Sequence, residues 1–521
     1  MRRSVVVLAA LAAVLLPAQA QEIACTGGTA VLPDVGAFPC SNVDLVGYLS
    51  PAAFGVDNSP ATKHNDIWGW TDPETGVEYA LVATRNGVGF VDLSTPSSPV
   101  LVGKLPTSGS ASVWRDVKVY GDHAYIVADN SPSHGIQVFD LRRLRDVTDA
   151  PVLFTVDAIY SGIGSAHNIV INEETGFGYV VGAPRSDASQ PQACGDRGFH
   201  VVDLSSPPEV TFVTCFSDAA SEQDPYISAG YTHDAQCVIY RGPDPDYQGR
   251  ELCFGANEDV VSTFDVTNKA DVVLISQAEY PNDVYTHQGW LDGTQRYFLI
   301  NDEIDERNRV VPSQRTIVMD MKDLDNPEVA FIYDSGLSTI DHNLYVRGRY
   351  AFESNYRSGL RILDLADIED GTLREVAFFD TYPQGEGLDY DGNWSNYPYF
   401  ASGLVVANDI DNGLFVLRPS AALSVDTQAG PAEPGYRLSD PYPNPSRDGA
   451  TLSLDVDAAQ HIRADLYDVA GRRVAQVYDG PASSSRRLTL EVSRGALPAG
   501  LYVVRIQGER FETARRLVLT R

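Results

Sequence analysis

GVGFVDLS, residues 87–94, is a short apolar strand that ends in Asp and a small polar turn. It recurs as GIQVFDLR (135–142), GFHVVDLS (198–205), VVSTFDVT (260–267), RTIVMDMK (315–322) and GLRILDLA (359–366), and GLFVLRPS (413–420) is a seventh copy without the Asp. The copies stand roughly 45 to 63 residues apart, the length of a four-stranded propeller blade with loop insertions. Each copy but the last is followed by another strand: PVLVGKLP (99–106), APVLFTVD (150–157), PEVTFVTC (208–215), DVVLISQA (271–278), PEVAFIYD (327–334) and REVAFFDT (374–381). The seventh runs instead into Pro419 and a loop, while VDLVGYLSP (43–51), similar to LVGKLPT (101–107), precedes the first copy. A ring of blades closes without a free edge when one blade takes strands from both chain ends. The pattern therefore predicts an all-β protein with a seven-bladed β-propeller over 43–420, closed by the 43–51 strand.

Outside the repeats the chain changes character. Arg2 and Arg3 precede the apolar run Ser4–Leu16 and the small-x-small site Ala18-Gln19-Ala20. This pattern predicts a signal peptide over 1–20 and an exported mature chain beginning near Gln21. No other apolar run is long enough for a bilayer, so no transmembrane segment is expected in the mature chain. The six cysteines suit an oxidising compartment. Fifteen pairings are open to them, and sequence neighbours favour Cys25–Cys40, in an N-terminal segment 21–42, with Cys194–Cys215 and Cys237–Cys253. Residues 421–435 are rich in Pro, Ala and Gly and read as a linker. Short alternating strands over 436–521 (ATLSLDV, IRADLYDV, RRLTLEV, GLYVVRIQG) predict a small C-terminal β-sandwich.

Charge divides along the same boundary. From residue 436 onward 13 arginines and no lysine face 10 acidic residues, a net of +3. The segment 21–435 carries 24 basic and 60 acidic residues, a net of −36. Such a surface repels nucleic acid and anionic membranes. It reads first as a solvated acidic coat and second as an attractor of divalent cations.

A second periodicity accompanies the first. AHNIV (166–170), THDAQC (232–237), THQGW (286–290) and DHNLY (341–345) each place a histidine at the start of a blade's innermost strand. Aligned on the following apolar residue, the seven strand heads are Asn65-Asp66, Arg115-Asp116, His167-Asn168, His233-Asp234, His287-Gln288, His342-Asn343 and Glu386-Gly387, with His64 one position before the first. Five of the nine histidines share this phase or lie one residue from it. Innermost strands line a propeller's channel, so these heads are expected at one mouth.

Imidazoles and carboxylates there suit a divalent transition metal, with His64, His167, His233, His287 and His342 as candidate ligands. Arg115 and the acids and amides Asn65, Asp66, Asp116, Asn168, Asp234, Gln288, Asn343 and Glu386 suit an anionic or polyhydroxylated ligand. The architectural alternative has the second-position residues tying adjacent blades through backbone N–H groups. NDEIDERN (301–308) offers Ca²⁺ ligands near Asp302 and Asp305 but lacks EF-hand spacing, and a solvated loop is the favoured reading. All five tryptophans fall near innermost-strand positions, where packing between blades accounts for most of them.

The strands GVGFVDL and GLRILDL resemble LVIVD repeats. The longer runs THDAQCVIYRGPDPDYQGRELCFGANEDVVSTFDV (232–266), HQGWLDGTQRYFLINDE (287–303) and DHNLYVRGRYAFESNYRSGLRILDL (341–365) resemble the choice-of-anchor B family of bacterial surface proteins over nearly all of 43–418. That resemblance implies a fold and a location rather than a chemistry. In the tail, PYPNPSRDGATLSL (441–454), LYDVAGRRV (466–474), LPAGLYVVRI (497–506) and the final RRLVLTR resemble a type IX secretion C-terminal sorting domain. This implies contact with the type IX secretion machinery, outer-surface or extracellular delivery, and possible attachment to surface polysaccharide. An accessory carbohydrate-binding sandwich is the alternative for the tail.

G-x-S-x-G, H-E-x-x-H, a P-loop and a strand-linked G-x-G-x-x-G are all missing from the sequence. The leading expectation is a ligand- or partner-binding exported scaffold. Its rival is a metal-dependent lactonase- or esterase-like hydrolase, or an oxidase. There the channel histidines hold the metal and Glu386 or Asp234 is the general base. A third reading makes the propeller a purely structural scaffold.

Overall fold

The computed structural model describes residues 22–55, 63–183, 198–218, 230–420 and 436–520, the last without 439–440, 442–443, 445, 448, 457–458, 469–471, 484–487, 496 and 509–510. The expected signal peptide, the linker and Cys194 lie outside the described residues. The described chain is all-β, with three short 3₁₀ turns.

Among the described residues of 29–419 there are seven mainly antiparallel sheets. Taken in chain order their first strands are His64–Thr71, Arg115–Tyr120, Asn168–Asn172, Asp234–Ile239, Thr286–Leu291, Asn343–Arg347 and Asn393–Tyr397. We number the sheets one to seven accordingly. Each first strand packs beside the next, and the seventh packs beside the first, in a β-propeller-like arrangement. Small and β-branched side chains fill the spaces between sheets, as where Val82 and Ala80 of sheet one meet Leu414 and Val416 of sheet seven.

The repeated Asp has a local cause. Asp92, Asp203, Asp265, Asp320 and Asp364 each accept a hydrogen bond from the N–H two residues on, and Asp140 does the same toward Arg142. These are Asx turns that send the chain from the third strand toward the fourth. The seventh copy lacks the Asp and leaves its sheet at Pro419. Val43–Leu49 takes the vacant fourth place by pairing antiparallel with Gly413–Pro419.

One strand assignment is corrected. The outer strand of sheet two is Ala158–Tyr160 rather than 150–157. Val152–Leu153 instead adds a parallel strand to the edge of sheet one. Phe154 explains the change: its ring packs on Phe90 and Phe139, and a Cβ at Gly103 would lie only 2.3 Å from it. The N-terminal segment forms a hairpin, Thr29–Leu32 with Gly36–Ser41, that extends sheet six through Cys40 and Phe379.

Disulfides Cys25–Cys40 and Cys237–Cys253 are present, and Cys215 is also disulfide-bonded. The tail forms a three-stranded and a four-stranded sheet. Leu452, Leu466, Leu490 and Val504 are buried together between them.

Candidate metal centre

In an antiparallel hairpin the head of the first strand lies opposite the tail of the second. Arg115 pairs with Ala128, Thr286 with Asp302 and Asn343 with Ser354. Residues just past the second strand therefore share the mouth with the heads. This rule brings Asp129, Glu303 and Tyr356 to the site.

Sheets three to six supply an unbroken arc of imidazoles. Ring centroids are 4.2 Å apart from His167 to His233, 4.2 Å from His233 to His287 and 4.4 Å from His287 to His342. Tyr356 continues the arc 4.4 Å beyond His342, with Trp394 at 5.0 Å. Three of the four Nδ1 atoms face oxygen acceptors: Asp129 Oδ2 at 3.1 Å from His167, the His287 carbonyl at 2.8 Å from His233, and the Trp394 carbonyl at 2.6 Å from His342. A ring nitrogen facing such an acceptor carries the proton, which leaves the Nε2 lone pair available. This is the outer support that orients metal-ligating histidines.

Glu303 completes the set. Its Oε2 lies 3.9 Å from His287 Nε2 and its Oε1 3.8 Å from His342 Nε2. The Tyr356 hydroxyl donates to Oε1 at 2.6 Å. One ligand atom from each of His287, Glu303 and His342 falls within 4.8 Å of the others. Burial, with mutual repulsion among the imidazoles, holds His233 and His287 well below the usual histidine range. Burial also takes His342 down to about 3 and Glu303 up to about 7. Neutral imidazoles beside a carboxylate form the donor set of Zn²⁺ or Fe²⁺ centres that keep open positions.

The other expected site residues separate from this cluster. His64 is buried against Phe54, its Nδ1 2.8 Å from Asn408 Oδ1. Arg115 donates to the carbonyls of Thr84 and Arg85 at 3.0 and 3.4 Å and meets His134 Nε2 at 2.7 Å. Several head side chains, most of them at the second position, tie sheets together. Asp116 accepts from the Ile169 N–H at 2.8 Å and Gln288 from the Leu344 N–H at 2.9 Å. Asn65, Asn168 and Asn343 donate to the carbonyls of Val113, His233 and Trp394.

The seventh head is corrected. It is Trp394-Ser395, because the first strand of sheet seven is Asn393–Tyr397 and its register shift at Asn393/Ser395 matches that at Thr286/Gln288 in sheet five. Glu386 lies exposed in the preceding loop. The apolar residue that suggested the earlier alignment, Leu388, packs instead against the small cluster of Ile340, Tyr356 and Ile410. NDEIDERN is no solvated loop either: Asp302, Asp305 and Glu306 are buried.

Deeper along the axis Lys118 bridges Asp66, at 3.0 Å, and Asp116. Burial and the neighbouring Asp66 push Asp116 well up. Burial opposes ionisation of Asp66 too, but Lys118 keeps it below the ordinary carboxylate range. Asp234 lacks such a bridge, and burial raises it to about 6. Beyond this level opens a cavity of about 580 Å³ walled by Trp68, Trp290, Tyr345, Tyr397 and Tyr399, with Arg241 and Glu174 among its lining residues. Gly69 permits this wall, since a Cβ there would sit 2.1 Å from the Tyr397 ring.

Comparison with known proteins agrees with the two halves of the chain. Residues 441–520 match the secretion system C-terminal sorting domain, and residues 78–107 and 109–131 match the LVIVD repeat. No curated protein matches the chain. Among solved structures it is similar to a Pseudomonas aeruginosa periplasmic gluconolactonase, PpgL, at 12% identity and TM-score 0.44, covering 82% of this chain and 99% of that one. A protein from Lactobacillus plantarum gives 11% identity and TM-score 0.43 with coverage of 82% and 99%. The computationally designed Ika8 protein gives 9% and 0.38 with coverage of 68% and 82%. The sorting domain marks the chain for export and implies contact with type IX secretion machinery. Among the described residues no helix is long and apolar enough to cross a membrane.

Proposed function

We propose that the chain is an exported seven-bladed β-propeller whose channel mouth is a Lewis-acid metal centre. The ring of first strands and the closing pair Val43–Leu49 with Gly413–Pro419 support the seven-bladed reading. The buried residues between the two tail sheets support a β-sandwich sorting domain. On this reading the tail delivers the propeller to the outer surface or the medium, where surface polysaccharide is its expected attachment point if it is retained. The long choice-of-anchor B resemblance fits that location.

The observation that carries the metal assignment is the convergence of His287, His342 and Glu303, with His233 and His167 extending the arc. Three ligands leave positions open to water and substrate. A bound Zn²⁺-type ion lowers the pKa of its water to about 7. Ester or lactone hydrolysis is the reaction class this arrangement serves. The polar ligand-binding reading has less support, because Asn65, Asp116, Asn168, Gln288 and Asn343 already make bonds between or within the sheets.

The test uses the exported full chain, supplied with Zn²⁺, Fe²⁺ or Mn²⁺, dialysed and analysed by metal mass spectrometry. One ion per chain, lost in the His287→Ala/His342→Ala variant, is expected, together with ester or lactone hydrolysis that disappears in the same variant. A folded wild-type chain that retains no transition metal overturns the proposal.

A further inference from the structure

A second group of ligating side chains lies behind the mouth, in residues that the histidine centre does not use. Asp305 and Glu306 sit in the loop after Tyr297–Asp302, and Asp341 immediately precedes His342. All three are buried, at 0%, 1% and 1% exposure. One ligand oxygen from each falls within 4.8 Å of the others. That is the separation of two oxygens on opposite sides of a Ca²⁺ ion at about 2.4 Å from each.

The charge of this cluster is poorly compensated. Arg315 meets Asp305 through Nε and spends its Nη atoms on the carbonyls of Pro281 and Asn282, both at 2.7 Å. Asp341 receives only a 3.4 Å contact from the Arg315 backbone N–H. Among the described residues four buried oxygens have no N–H or hydroxyl donor in hydrogen-bond geometry: Asp305 Oδ1, both oxygens of Glu306, and Asp341 Oδ1. Glu306 is thus an almost wholly buried carboxyl group, aimed into two others, with no donor at either oxygen. Burying unpaired carboxylates is costly, and nature resolves it with a proton or a cation.

Asp302, at the end of the strand that leads into this loop, is not part of the group. It accepts from the N–H groups of Val284 and Tyr285 at 2.7 and 2.8 Å and from the Tyr280 hydroxyl at 2.9 Å. Its lone pairs are already engaged.

From this geometry we infer that Asp305, Glu306 and Asp341 form a Ca²⁺ site that braces the loop carrying Glu303. The donor set is all oxygen, which selects a hard cation over the transition metals suited to the histidines. Carboxylates that approach from several sides in a buried pocket favour Ca²⁺ over Mg²⁺, which keeps most of its water shell. This site is independent of the histidine centre and stands or falls separately.

The full chain is stripped with EGTA and then titrated with Ca²⁺ by equilibrium dialysis, with thermal unfolding followed in parallel. One Ca²⁺ per chain and a Tm that climbs with free Ca²⁺ are expected. Glu306→Gln and Asp341→Asn each abolish both, while His287→Ala/His342→Ala retains both. A wild-type chain that binds no Ca²⁺ at millimolar concentration overturns the inference whatever the variants do. So does Ca²⁺ binding that survives in both carboxylate variants, and so does Mg²⁺ matching Ca²⁺ in affinity.

Discussion

Sheets three to six and sheets seven, one and two offer the same position of the repeat to the same mouth, and use it differently. In the first group the head residue is His167, His233, His287 or His342, each ring tilted against the next. In the second group Trp394 packs on His342 and Tyr356, Asn65 donates to the Val113 carbonyl while His64 beside it turns to Asn408, and Arg115 is held by carbonyls and His134. Duplication alone would treat all seven alike. A contiguous arc of four, with Glu303 facing two of them, is better explained by a site built on one side of the axis. On the other side polar heads are consumed by architecture.

Four tests sharpen that contrast. The largest effect is expected at Lys118, which neutralises the buried Asp66 and Asp116 on the architectural side. Lys118→Met leaves those carboxylates unpaired and costs about 3–5 kcal/mol in urea unfolding, while metal content per folded chain is unchanged. A loss below about 1 kcal/mol would place the trio among ordinary surface pairs.

Next in size is acid sensitivity. Burial holds His64, His134 and His200 each down to about 4. A histidine with a depressed folded pKa takes up its proton on unfolding. Its neutral-state contribution is therefore intact above about 6.5 and lost as pH falls toward 4. Each contributes up to about 3 kcal/mol of lost stability across that window. His64→Gln and His200→Gln are expected to flatten the fall in stability between pH 6.5 and 4. An unchanged pH profile would contradict their buried neutral state.

A smaller change is expected at Asp129, which touches the arc without being a ligand. Asp129→Asn weakens the acceptor for His167 Nδ1 and lowers metal affinity by about 10–100-fold. Competition with a chromophoric chelator measures this, and equal affinity would remove Asp129 and His167 from the centre. The smallest effect is at His64 itself: His64→Ala leaves metal stoichiometry where it was. A lost ion would move the boundary between the two sides.

Much of the frame can be read along the chain, because the Asx-turn aspartates recur and the 43–49 strand mirrors the strands that follow them. The Cys25–Cys40 and Cys237–Cys253 bridges follow from short separations, across a hairpin in the first case and a paired register in the second. The heads of sheets three to six are equally plain. Glu303, Asp129 and Tyr356 escape a reading confined to first strands, since each lies on the following turn. The antiparallel rule that places them is nonetheless available from sequence once the strands are assigned. Glu386 misled because Leu388 imitates the apolar residue after a head, although that side chain serves a cluster over the mouth. The burial of Asp302 and Asp305 depends on Arg315, Tyr280 and distant N–H groups, which no local pattern reveals.

The most direct measurement is a crystal structure of the exported chain, grown with the transition metal it retains and phased at that metal's absorption edge. The account predicts one strong anomalous peak at the channel mouth, about 2.0–2.2 Å from the Nε2 atoms of His287 and His342 and from a Glu303 oxygen. A peak elsewhere, or an empty mouth in crystals whose solution chain carries metal, would contradict it.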